Sequence, residues 1–216
     1  MKTMRLTIGG VVLAASLFVT TSTLAQSPVP LVQSASVVGA IIPALVQDDN
    51  TAITHLDAAV AALDKGDKAA TTQELKSGIA GLEAQAQSKP TSFKDKLLAQ
   101  ASKLKALLPL IPSGALGNGV LGKAVSLAKL ASGGNQLEGI LAAGSLLGKG
   151  SQLTSGLSGI GSALSVLGGQ SSGQSLVTSA LSTVGKLDQG GLIAKAAEPA
   201  AKTQIGSVLN FVKGVL

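Results

Sequence analysis

Cysteine, tryptophan and tyrosine are absent from this chain of 216 residues; phenylalanine occurs three times and histidine once. Without cysteine there can be no disulfide, thiolate metal site, thiol nucleophile or lipidated N-terminal cysteine. A single histidine leaves no basis for histidine-based metal coordination. Charge is scarce too, at 13% of the residues against 45% hydrophobic, and mean hydropathy is +0.45. Such a chain lacks the polarity of a disordered one, so it collapses in water or meets a membrane. Few catalytic chemistries remain, and no cofactor or metal is expected.

Lys2 and Arg5 precede an apolar run from Ile8 to Val19, about the length of a secretory h-region. Thr23 and Ala25 then occupy the small-residue positions that a signal peptidase reads. Residues 1–25 therefore read as a cleavable signal peptide cut between Ala25 and Gln26. The alternative is an uncleaved anchor helix, although the run is short of the ~20 apolar residues that a span needs. Export puts the chain in a periplasm or beyond, where the absence of thiols fits an oxidising compartment. Residues 26–216 carry 15 lysines, no arginine and 11 acids, a net charge of +4. Arginine is the usual means of planar, bidentate phosphate recognition. Stacking platforms are also scarce, with Phe93 and Phe211 alone, so nucleic acid is not an expected partner.

Composition changes near Pro112. Residues 26–112 hold 4 glycines, 8 lysines and 8 acids, and residues 113–216 hold 21, 7 and 3. The expected organisation is a Pro-containing apolar lead segment over 26–50, an amphipathic helical bundle over 51–112 and a Gly-rich helical region over 113–216. Ile53, Leu56, Val60 and Leu63 share one helical face after the capping residues Asp48 to Thr51. Gly66 ends that helix and Asp67 caps the next, in which Leu75, Ile79, Leu82 and Ala86 repeat the spacing up to Lys89-Pro90. Phe93, Leu97, Ala101, Leu104 and Leu108 form the face of a third. The fold class is all-α: an N-terminal antiparallel helical hairpin or bundle followed by a Gly/Leu/Ser-rich multi-helix region.

In the second region Gly133-Gly134, Gly168-Gly169 and Gly190-Gly191 read as separators. Leu153, Leu157, Ile160, Leu164 and Leu167 advance by alternating fours and threes, as a coiled-coil seam does. Asn135 and Glu138 have capping-box spacing, and Ile205, Val208, Leu209, Val212 and Leu216 line a terminal helix. Interior glycines each cost about 1 kcal/mol relative to alanine, so these helices need packing partners: the rest of the fold, another copy or lipid. Gly139 with Ala143, and Gly144 with Gly148, have the four-residue spacing that lets helix backbones approach closely. From Gly150 to Gly185 no residue is charged. Serine, threonine and glutamine interrupt that stretch, which weighs against a continuous transmembrane helix and gives a weakly polar face that leaves water readily.

The chemical motifs fail on context. Gly117, Gly119 and Gly122 match the dinucleotide fingerprint in letters, with Glu138 roughly where a ribose-binding acid would lie, but no strand is expected before them. Ala124 stands where a nucleotide P-loop would need a hydroxyl. His55 reads as a solvent-facing residue on an amphipathic helix; as a general base it would need a serine on a strained Gly-x-Ser-x-Gly turn, and none is expected. Asp48-Asp49 lacks the spaced ladder of a calcium loop.

Two roles follow. The first is an exported, non-enzymatic helical protein that binds a protein partner or itself through apolar small-residue faces, with Leu153, Leu157, Ile160, Leu164, Leu167, Gly144, Gly148, Ile205 and Val212 as the interaction surface. The second is a membrane-active or lipid-associated protein that uses the net positive charge, the chargeless stretch and the terminal helix with Lys202 and Lys213. The lack of interfacial tryptophan and tyrosine weighs against the second.

Overall fold

Three amphipathic helices open the part of the chain that the computed structural model describes, namely residues 49–88, 90–168 and 171–216. The expected signal peptide and most of the lead segment, through Asp48, lie outside those residues. The first helix, α1 (Asp49–Asp64), ends at Gly66, whose φ of +76° closes the turn. Gly66 and Asp67 donate back to Leu63 and Ala62, and the Asp67 carboxylate accepts the Ala70 N–H at 2.9 Å, so one residue ends α1 and the next caps α2 (Lys68–Ser88). Ala52 lies against Gly81 and Leu56 against Gly78, so contacts advance along α1 as they recede along α2. A third helix, α3 (Lys94–Leu107), packs on α2, and a single turn, α4 (Leu110–Ser113), follows Pro109.

Four longer helices follow: α5 (Asn118–Ala142), α6 (Gly150–Val166), α7 (Ser171–Leu187) and α8 (Gly191–Val215). Every regular element among the described residues is helical, so the class is all-α. Successive members pack together, α5 with α6, α6 with α7, and α7 with α8, and α5 also touches α1, α2, α3 and α8. Its two faces explain this. Leu121, Val125, Ala128 and Ala131 join the core formed by Leu56, Leu75, Leu82, Leu97 and Leu104. Leu130, Leu137 and Ile140 join a second core with Leu153, Leu157, Ile160, Val184, Ile205 and Val212. A helix apolar on more than one side sits between two layers. The composition change at Pro112 therefore precedes a helix that packs on both sets of elements.

Three sequence expectations need correction. Gly133-Gly134 separates nothing and lies inside α5. A methyl group on Gly134 would sit 2.5 Å from Phe93 Cζ, and one on Gly133 would sit 2.8 Å from Ile160 Cγ1; the pair stays helical because it leaves room for those side chains. Asn135 and Glu138 likewise start no helix, since α5 runs through them. Phe93 belongs to the second core, whereas Leu97, Ala101 and Leu104, expected on the same face, belong to the first. It is the bulky plug at the end of the 90–93 link, held under Gly134.

Candidate functional site

Six of the nine residues expected to form an interaction surface are interior. Leu153, Leu157, Ile160, Leu164, Ile205 and Val212 are buried, and Leu167 packs against the same core. Their heptad-like spacing is used within the chain, against α5, α7 and α8. Gly144 and Gly148 are not on a helix face at all: with φ of +86° and +72° they turn the loop between α5 and α6. The packing partner that the glycine-rich helices require is thus present in the fold itself.

Polar groups pin this interior. Thr91 donates to Asn135 Oδ1, and Ser132 donates to Gln85 Oε1 at 2.8 Å in a buried setting. Ser92 donates to Glu138 at 2.7 Å, and Lys213 lies 3.7 Å from the same carboxylate and 5.3 Å from the centre of the Phe93 ring. The helix α8, the 90–93 link and α5 are therefore tied at one spot. Between α1, α5 and α6 lies a cleft of about 30 Å³, lined by Asn50, Lys129, Ser132 and Gly156 among others, with room for about one water. Lys129 is paired to Asp57 at 2.5 Å, and Asn50 donates to Ser155 at 3.1 Å.

The surface is different in kind. Serine and threonine line the outer sides of α6 and α7, but Ser162, Ser165, Ser175, Thr178 and Thr183 donate to the carbonyl four residues back. Their donors are used, and the wall they form is neutral. Large apolar residues reach solvent at few places, and the most exposed is the first turn of α8, where Leu192 is 84% and Ile193 55% exposed. Gly190 and Gly191, with φ of +71° and +60°, make the sharp bend that projects them. Leu192 and Ile193 also fall off the inward row of Ala194, Ala197, Ala201 and Ile205, so helix geometry leaves them outside.

The loop between α5 and α6 is docked at the same end. The Leu146 N–H donates to Glu198 Oε1 at 3.2 Å, and Lys202 pairs with that oxygen at 3.0 Å. The hydrogen bond from Lys202, then that from Leu146, holds the Glu198 carboxyl below its ordinary range, against the opposing effect of burial. Asp188, directly after α7, lays its carboxylate against Gly150 at the start of α6, so a side chain on that glycine would displace it. Leu147, 39% exposed, therefore sits at the end of the bundle where Leu192 and Ile193 project. Lys149, Lys186 and Lys195 surround that end and have no ion pair among the described residues.

No family model matches the chain, and no curated protein or solved structure matches it.

The motifs set aside on context have definite places. Gly117 caps α5 in extended conformation, and Gly122 and Glu138 share that helix, about 24 Å apart along its axis, too far to hold one nucleotide. His55 is only partly exposed, and its Nδ1 lies 2.7 Å from Glu74 Oε2, so it bridges α1 and α2 where a purely solvent-facing residue was expected. The Gly-x-Ser-x-Gly letters do occur, at Gly169, Ser171 and Gly173, which corrects the expectation of none. Ser171 opens α7 as an exposed residue, and Gly173 faces Phe211. Asp49 opens α1, and Asp48 lies outside the described residues. Among the described residues, no three acidic or histidine side chains gather closely enough to hold a metal ion.

Proposed function

We propose that this chain is an exported, non-enzymatic helical protein that works by binding, and that its contact surface is the end of the bundle formed by the α7–α8 turn and the α5–α6 loop. The observation that supports this is the exposed pair Leu192 and Ile193, held outward by Gly190 and Gly191 on a fold that buries its other apolar rows. Large aliphatic side chains projected on a short, sharply turned element gain most by being covered. The internal seam serves as scaffold for that end.

The reading is tested with the chain recovered from its native compartment, by comparing its sedimentation with that of the Leu192→Ser/Ile193→Ser double variant. The expected result is a complex or lipid-bound form for the natural chain and loss of it for the variant, with helix content unchanged. A chain that stays monomeric at every concentration, with neither partner nor lipid, contradicts the reading.

The lysines around the same end favour a second form of this role, attachment to a membrane surface. No helix among the described residues is long and apolar enough to cross a membrane. Contact through the projecting turn requires no spanning helix.

A further inference from the structure

We propose that the α7–α8 end is a docking surface for anionic phospholipid headgroups. The inference rests on the binding reading and names the partner. Leu192 and Ile193 stand out from the first turn of α8, and Leu147 from the loop that the Leu146–Glu198 bond fixes beside it. Lys149 caps α6, Lys186 lies in the last turn of α7, and Lys195 is one turn beyond Leu192. Among the described residues these three ammonium groups have no ion pair, and beside them stands one acid that also has none, Asp188; Glu198 is already matched by Lys202. Apolar side chains at the centre and lysines at the rim reproduce the layering of a bilayer surface, acyl chains below and phosphates above.

Two features weigh against a second copy as the occupant. Two such ends face to face would bring lysines against lysines, which disfavours the contact. Three aliphatic side chains also fall far short of the ~800 Å² per partner of a stable protein interface. A lipid surface needs no such area, because it is continuous and supplies the opposite charge. The adjoining walls of α6 and α7 carry no acid between Gly150 and Gly185, so nothing on them repels headgroups.

The absence of cysteine allows a direct test on the full chain. Leu192→Cys and Val120→Cys are labelled singly with a polarity-sensitive fluorophore; Val120 is exposed at the far end of α5, about 33 Å along the helix from its C-terminus. Both labelled chains keep residues 1–48, so a contribution from that segment is common to them. With phosphatidylglycerol–phosphatidylcholine vesicles at low salt, the label at 192 shifts to the blue and the label at 120 does not. Pure phosphatidylcholine gives no shift. Replacing Lys149, Lys186 and Lys195 by Gln weakens the response at 192 by roughly a hundredfold, about fivefold for each lysine.

The proposal is overturned by the same shift on neutral vesicles, by equal shifts at both labels, or by indifference to the lysine changes. A shift at 192 that grows with protein concentration in the absence of vesicles assigns the end to a second copy; it overturns the lipid partner and keeps the binding reading. No shift under any condition, in a chain that is also monomeric and partner-free, overturns both.

Discussion

In the middle of α5, Gly133 and Gly134 stay helical, and a methyl group on either would run into Ile160 or Phe93. Between α7 and α8, Gly190 and Gly191 have φ of +71° and +60°, with nothing within 4 Å of where a methyl would sit. The letters are the same and the physical demands are opposite. The α5 pair is selected for the volume it omits, and the turn pair for the dihedral it permits. The first closes the interior, so the apolar rows of α6 and α8 are satisfied within the fold. The second opens the surface, by carrying two aliphatic residues past the end of the inward row. A glycine count of 27 says that both devices are available and nothing about which one is in use.

The largest expected effect comes from filling the omitted volume. Gly134→Ala gains about 1 kcal/mol of helix propensity, but it drives a methyl into the edge of Phe93, which is fully buried and has nowhere to retreat. The net loss of stability should be about 3 kcal/mol, measured by urea denaturation. Phe93→Leu in the same chain should recover part of it, because the two positions share one space. A Gly134→Ala chain as stable as the natural one would show that the interior is loose and would break the contrast.

At the turn, Gly190→Ala meets no atom, so its cost is conformational alone. With φ of +71° and ψ of −177°, Gly190 occupies a region that essentially only glycine enters, and alanine there should cost about 2 kcal/mol. Gly159 supplies the control: it is helical, lies within α6 and has nothing within 4 Å, so Gly159→Ala should stabilise the chain by about 1 kcal/mol. Together the three alanines separate steric, dihedral and propensity effects by magnitude and by sign. A loss at Gly159 would mean that the cleft between α1, α5 and α6, which Gly159 helps to line, is filled.

Which parts of this could be read from spacing depends on the range of the interaction. The turn at Gly66 and Asp67 and the periodic faces of α1, α2, α6 and α8 are set by residues within a few positions, and spacing identifies them. What a face packs against is set by residues far along the chain. Leu153 to Leu167 carry the spacing of an exposed seam and of a buried one equally well. Asn135 shows the same limit: its partner Thr91 lies 44 residues away, so a capping-box spacing in mid-helix looks like a helix start. Phe93 continues the face of α3 by count and leaves it by geometry, because it fills the gap under Gly134. The projecting end had one readable signal, a Leu-Ile pair placed directly after two glycines and out of step with Ala194, Ala197 and Ala201. Its lysines come from three separate elements and meet only in the folded chain.

The smallest expected effect concerns how firmly that projecting end is held. Glu198 is the acid that ties the α5–α6 loop to α8, and its carboxyl titrates below its ordinary range because Lys202 and the Leu146 N–H bond the ionised form. A carboxyl whose folded value lies below its unfolded one adds stability above the unfolded value, and that stability disappears as pH falls through the folded one. Acidification through and below the ordinary carboxylate range should therefore loosen the loop carrying Leu147. The chain has ten other acids, so the measurement must be a difference. Glu198→Gln keeps an oxygen for the Leu146 N–H and gives up the ion pair, and its thermal midpoint should lie below that of the natural chain at neutral pH. The gap should narrow as the pH falls, while Gly190→Ala and Gly159→Ala keep the same offset throughout, because neither touches a titrating group. A Glu198→Gln offset that does not change with pH would show that the loop is held by packing at Leu146 alone. The turn and the loop would then be independent parts of that end of the molecule.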